Sequence, residues 1–148
     1  MPTRWSWLIA LFLLTPGVAH ATVSSQLDGS AVVHQTWELP FASVGSVVAI
    51  DLGTDGTNER IVSSGPDAQP QIAILREDGS LLNVFPAFSH GTSYGVNMAA
   101  GDVDGDGDIE LIVANAYGGN PLVRVLSSFG TLESEFFAYA AAFRGGVN

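Results

Sequence analysis

A shift of the chain against itself by 51 positions lays Val47 to Asn97 over Met98 to Asn148 without a gap, and 16 of the 51 pairs are identical. Unrelated segments of ordinary composition agree at about one pair in fifteen. The identities fall where backbone geometry is demanding: Asp51 on Asp102, Asp55-Gly56 on Asp106-Gly107, Glu59 on Glu110, Gly79 on Gly130, and Gly95-Val96-Asn97 on Gly146-Val147-Asn148. Self-similarity at this period marks arrays of supersecondary units, none of which buries its apolar face alone.

Within each unit the apolar residues form short runs broken by Gly, Pro, Asp and Asn, and no window carries a helical stripe. In the second unit the pattern predicts strands over Val96 to Ala100, Glu110 to Ala114, Leu122 to Leu126 and Leu132 to Tyr139. Alternation along Leu122-Val123-Arg124-Val125-Leu126 puts the leucines and Arg124 on one face and the valines on the other. Asp78-Gly79-Ser80, matched by Phe129-Gly130-Thr131, supplies the turn into the last strand. The fold class expected is therefore all-β, as tandem four-stranded antiparallel blades of a β-propeller. Repeat 1 covers 47–97 and repeat 2 covers 98–148. Residues 22–46, with the turn-like Leu27-Asp28-Gly29-Ser30, read either as the end of a preceding partial blade or as a hairpin cap. Closed propellers have about 4 to 8 blades, so two units are expected to be a fragment of a longer array.

The first residues stand apart from this plan. Arg4, the apolar stretch Trp5 to Leu14, and the small-residue pattern Ala19-His20-Ala21 form an export signal over 1–21, with cleavage expected after Ala21. Its apolar run is far shorter than the roughly 20 residues a membrane-spanning helix needs. The mature chain is thus expected to be secreted or at the cell surface, the periplasm included, with no membrane span. It would keep four arginines, no lysine and fifteen acids, a formal charge of −11 against −10 for the whole chain. Such a surface repels nucleic acid and anionic lipid, whose phosphates are bound by Lys and Arg. No cysteine occurs, which excludes disulfides, thiolate metal sites and thiol nucleophiles.

The acids concentrate in Asp102-Val103-Asp104-Gly105-Asp106-Gly107-Asp108-Ile109-Glu110. Side-chain oxygens at alternate positions converge on one hard cation when the backbone curls, and glycine permits the curl. Asp102, Asp104 and Asp106 supply the first three carboxylates, the Asp108 carbonyl a fourth ligand, and Glu110 a carboxylate at the ninth position. An all-oxygen set of this charge favours Ca²⁺ over zinc or copper, while Mg²⁺ keeps more water. Carboxylates held about 4 to 6 Å apart repel by about 3 to 4 kcal/mol per pair at an effective dielectric near 20, so a cation should stabilise the loop. An EF-hand shares the opening of this motif but needs a bidentate Glu at its twelfth position, where this chain has Val113 in an apolar run. The matching loop Asp51 to Glu59 keeps Asp51, Asp55 and Glu59 but has Gly53 in place of the second carboxylate, which predicts a degenerate, weaker site.

Gly101-Asp102-Val103-Asp104-Gly105-Asp106-Gly107, the strand that follows it, and Val123-Arg124-Val125 resemble the FG-GAP or VCBS-type repeats of integrin α-chain propellers and bacterial surface proteins. The resemblance runs from Val44 to Asn148. It implies a Ca²⁺ loop between two strands of a blade, with metal roles for Asp102, Asp104, Asp106, Asp108 and Glu110. The chain departs from that pattern at Gly53, and it lacks the Phe-Gly-Gly-Ala-Pro consensus.

Signs of catalysis are sparse. His34 and His90 alone remain after cleavage, and Ser89-His90 are adjacent residues that do not face each other in a strand. Phe85, Phe88, Phe136, Phe137, Tyr139 and Phe143 are expected mostly in the core, with Tyr94, Tyr117 or Tyr139 available for sugar stacking. The sequence thus predicts a non-catalytic, calcium-binding adhesion or ligand-binding scaffold for a protein or glycan. The competing expectation is the repeat portion of a larger secreted hydrolase or lyase.

Overall fold

The computed structural model describes residues 19–27, 31–53, 55–89 and 94–148, with side chains from residue 37 onward except within the gaps. Most of the expected export signal lies outside these residues, and Ala19 to Ala21 open the first strand. The described chain is all-β. A two-stranded antiparallel ladder joins β1 (Ala19–Leu27) to β2 (Ala31–Leu39). Two four-stranded antiparallel sheets follow, each a meander. The first runs β3 (Val44–Ile50), β4 (Glu59–Ser64), β5 (Gln71–Leu75), β6 (Leu81–Pro86). The second runs β7 (Val96–Gly101), β8 (Glu110–Asn115), β9 (Leu122–Ser127), β10 (Leu132–Phe137). The four strands predicted for the second unit are all present within two residues of their expected ends.

The 51-residue period is written into the backbone as well. Positive φ recurs at Gly56 and Gly107, at Gly79 and Gly130, and at Gly95 and Gly146. The turn at Gly79 and Gly130 is closed identically: Gly79 N–H donates to Arg76 O at 2.9 Å, and Gly130 N–H to Ser127 O at 2.9 Å.

The middle strands β4 and β5 are buried on both faces; β5 accordingly reads as the apolar run Ile72 to Leu75, whereas β4 buries Ser63 and Ser64 beside Ile61 and Val62. On one face Ile61, Ile72 and Ile74 meet Leu111, Val113 and Leu126 of the second sheet, with Phe88 and Val96 filling between them. On the other face Val62, Ala73 and Leu75 are covered by Trp37, Leu39 and Phe41. The first sheet is thus sandwiched between the N-terminal segment and the second sheet. Full burial of each such side chain contributes about 1.5–3 kcal/mol. Leu122 and Leu126 face the first sheet as the alternation predicts.

Where the sheets meet, β7 runs beside β3. Ser63 Oγ, wholly buried, donates to Val96 O at 2.6 Å and accepts from Ser46 N–H at 2.7 Å, so one hydroxyl ties three strands together. A Cβ at Gly45 would fall 2.7 Å from Val96 O, so this approach requires glycine.

The aromatic expectation needs correction. Phe88 is buried and Phe85 half-buried, but Phe136, Phe137, Tyr139 and Phe143 are exposed. The first pair is covered by the second sheet, whereas no described element lies against the outward side of β10.

Candidate metal centre

The second acidic loop leaves β7 at Gly101 and enters β8 at Glu110, so it caps one end of an antiparallel strand pair whose register is fixed by Gly101 opposite Glu110. Within it the backbone winds around its own side chains. Asp102 Oδ1 accepts from Gly105 N–H at 2.6 Å and its Oδ2 from Gly107 N–H at 3.2 Å. Asp104 Oδ1 accepts from Asp106 N–H at 3.1 Å, and Asp106 Oδ1 from Asp108 N–H at 2.8 Å. Each carboxylate is turned inward by an amide two or more residues ahead of it, and Gly105 and Gly107, both at positive φ, reverse the chain to allow this. Carboxylate oxygens of Asp102, Asp104 and Asp106 come to lie within 4.8 Å of one another, a group that could hold a metal ion.

Glu110 has a different place. It is 3% exposed, and its Oε2 accepts from Val103 N–H at 2.8 Å, which staples the end of the loop to its beginning. Asp108 is exposed and offers its backbone N–H to Asp106. The three aspartates are brought together as a group; Asp108 and Glu110 flank it.

The first loop is built on the same scaffold. Leu52 N–H donates to Glu59 Oε2 at 2.9 Å, as Val103 does to Glu110. Gly56 N–H donates to Asp51 Oδ2 at 2.8 Å, as Gly107 does to Asp102. Thr57 donates both N–H and hydroxyl to Asp55 Oδ1, and these bonds hold the Asp55 carboxyl below its ordinary pKa. Asp51, Asp55 and Glu59 do not form a three-acid group among the described residues, and Gly53 stands where the second loop has Asp104.

Two further positions separate the loops, and the motif alone does not reveal them. Arg76 and Leu82 line the cleft beside the first loop with Asp55 and Glu59. Their counterparts beside the second loop are Ser127 and Glu133. Glu133 sits at a β-bulge in β10, between Leu132 paired with Leu126 and Ser134 paired with Val125. Desolvation first, and then the charges of Glu110, Asp104, Asp106 and Asp108, raise its carboxyl above the ordinary value. That repulsion locates Glu133 in the field of the loop. Exchange of Arg for Ser and Leu for Glu could have been read from the repeat alignment once the cleft was known.

Among the described residues the sole ion pair is Arg124 to Glu135 at 3.0 Å, away from the loop acids. Among the described residues, the acids of the second loop therefore have no ion-paired cationic side chain. Ser89 is exposed, and His90 lies outside the described residues. Tyr94 packs beside Gly118, Tyr139 against Phe143 at 4.9 Å between centroids, and Tyr117 stands free at 84% exposure. No helix among the described residues is long and apolar enough to cross a membrane.

Fold and loop together define a β-sheet repeat in which one strand connection carries a convergent, uncompensated set of carboxylates. No family model, curated protein or solved structure shows a significant match to the chain.

Proposed function

We propose that this is an exported, calcium-binding scaffold of FG-GAP or VCBS type, whose sheets are blades of a β-propeller and whose role is adhesion or ligand binding rather than catalysis. The observation that carries it is the convergence of Asp102, Asp104 and Asp106 within 4.8 Å. Oxygens coordinating Ca²⁺ at about 2.3–2.6 Å span at most about 5 Å across the ion, so the three fit one calcium shell with little movement. The Asp108 carbonyl and Glu110 stand next in the chain to extend that shell, with water completing it. Neutralising these acids stabilises the bend between β7 and β8 and hence the pairing of the inner strands. The first loop, short of one carboxylate and beside Arg76, binds more weakly. A protein or glycan is the partner this reading favours, because a surface of −11 after signal removal disfavours nucleic acid.

Thermal unfolding of the protein in excess EDTA, Mg²⁺ and Ca²⁺ tests it. At 100 times its Kd, Ca²⁺ adds about 2.7 kcal/mol, and Mg²⁺ at the same concentration adds less. Identical midpoints in all three would end the calcium reading.

A further inference from the structure

The bond at which the export signal is expected to be cut lies inside a strand. β1 and β2 pair rung by rung, from Ala19 opposite Leu39 to Leu27 opposite Ala31. The small-residue pattern Ala19-His20-Ala21 is therefore partnered by Leu39, Glu38 and Trp37, and the Ala21–Thr22 bond runs between the rungs of Trp37 and Thr36.

A two-stranded ladder is marginally stable by itself in water, so its persistence depends on where it is anchored. The anchor is at the end that carries the junction. Trp37 and Leu39 are 3% and 2% exposed and pack with Phe41 on Val62, Ala73 and Leu75 of the first sheet. The indole is held between Gly79, where an added Cβ would collide with it, and Arg60, stacked 4.8 Å from the ring centroid. The core thus fixes the strand against which Ala19 to Ala21 pair. Proteolysis acts on a transiently opened chain, so cutting at Ala21 requires β1 to peel from this fixed edge.

We propose that the folded hairpin masks its own processing site, so that the signal is removed before β1 pairs and its removal takes from β2 the partners of Trp37, Glu38 and Leu39. Hydrolysis of the Ala21–Thr22 amide consumes one water and leaves a carboxylate on Ala21 and an amine on Thr22. β2 then outruns β1, and its edge along Trp37 to Leu39 has no partner strand among the described residues. The order of events rests on the export reading; the masking does not, and neither depends on a cation in the loops.

The test compares the full chain with a synthetic peptide of residues 19–27, which carries the same bond without β2. Both are treated with elastase, which cuts after small residues, and cleavage after Ala21 is followed by mass spectrometry. The folded chain should be cut there more than about tenfold more slowly than the peptide. In a chain of residues 22–148, the segment Trp37 to Leu39 should exchange amide hydrogen about tenfold faster than in the full chain, while β5 stays equally protected. Cutting of the folded chain as fast as the peptide overturns the proposal, and so does equal exchange of Trp37 to Leu39 in the two chains. Failure of the export reading shows separately, as protein retained in the cytoplasm whatever the two rates.

Discussion

Gly130 sits beneath the ring of Phe85, one repeat after Gly79 sits beneath Trp37, and both glycines hold positive φ, +88° and +84°. Gly130→Val therefore combines left-handed strain of about 1–2 kcal/mol with overpacking of about 1–3 kcal/mol. Urea unfolding should show a loss of about 2–5 kcal/mol, whereas Gly101→Ala, with nothing within 4 Å of its Cβ, should change stability by less than about 0.5 kcal/mol.

Trp37 closes the far side of the first sheet, yet its buried indole N–H has no hydrogen-bond partner among the described residues. Trp37→Phe removes an unpaired donor and keeps a ring beside Arg60, so it should cost less than about 1.5 kcal/mol. Trp37→Ala should cost about 3–5 kcal/mol. Equal losses in denaturant melts would show that the ring does not cover the core.

Loop chemistry should be transferable between the units. A Cβ at Gly53 meets only Asp55 Cγ, at 4.0 Å, so an aspartate fits there without displacing the scaffold. Gly53→Asp should strengthen the weak first site enough to raise the titrated Ca²⁺ stoichiometry toward two, and a further Arg76→Ser exchange should strengthen that site again.

Glu133 gives a pH signature. Its folded-state pKa is raised, so the stability this group contributes is present below the ordinary carboxylate value and lost as pH rises through the raised one. In EDTA near neutral pH, Glu133→Gln should raise the melting midpoint and flatten its pH dependence above about pH 4.5. Excess Ca²⁺ should shrink both effects, because the ion neutralises the acids that repel Glu133. An unchanged pH profile in EDTA would place Glu133 outside the loop's field.

How much of this was legible beforehand differs by level. Strand number, order and turn positions were readable because glycines at 56, 79 and 95 recur where the backbone reverses. The conformation at Asp67 was not: it holds φ +64°, and its repeat partner Gly118 holds +97°, so one geometry is served by two residue types and the alignment scores a mismatch. Gly45 was equally silent, since its requirement arises from Val96 O in the neighbouring sheet. Phe136 and Tyr139 were expected in the core because Phe85 and Phe88 have partners, but a period in sequence does not supply a partner to its last member. For the candidate site, the grouping of the three aspartates follows from spacing, whereas spacing marks Glu110 only as a ligand and does not reveal that it closes the loop through Val103 N–H. Glu133 does not follow from spacing, because a bulge in a strand distant in sequence brings it there.

The most direct trial of the central claim is calorimetric titration of Ca²⁺ into the protein and into Asp104→Asn and Asp106→Asn variants. Saturable binding with one dominant site in the parent, weakened by more than about tenfold in either variant, is the expected result. No heat of binding in the parent, or binding that survives both substitutions unchanged, would contradict it.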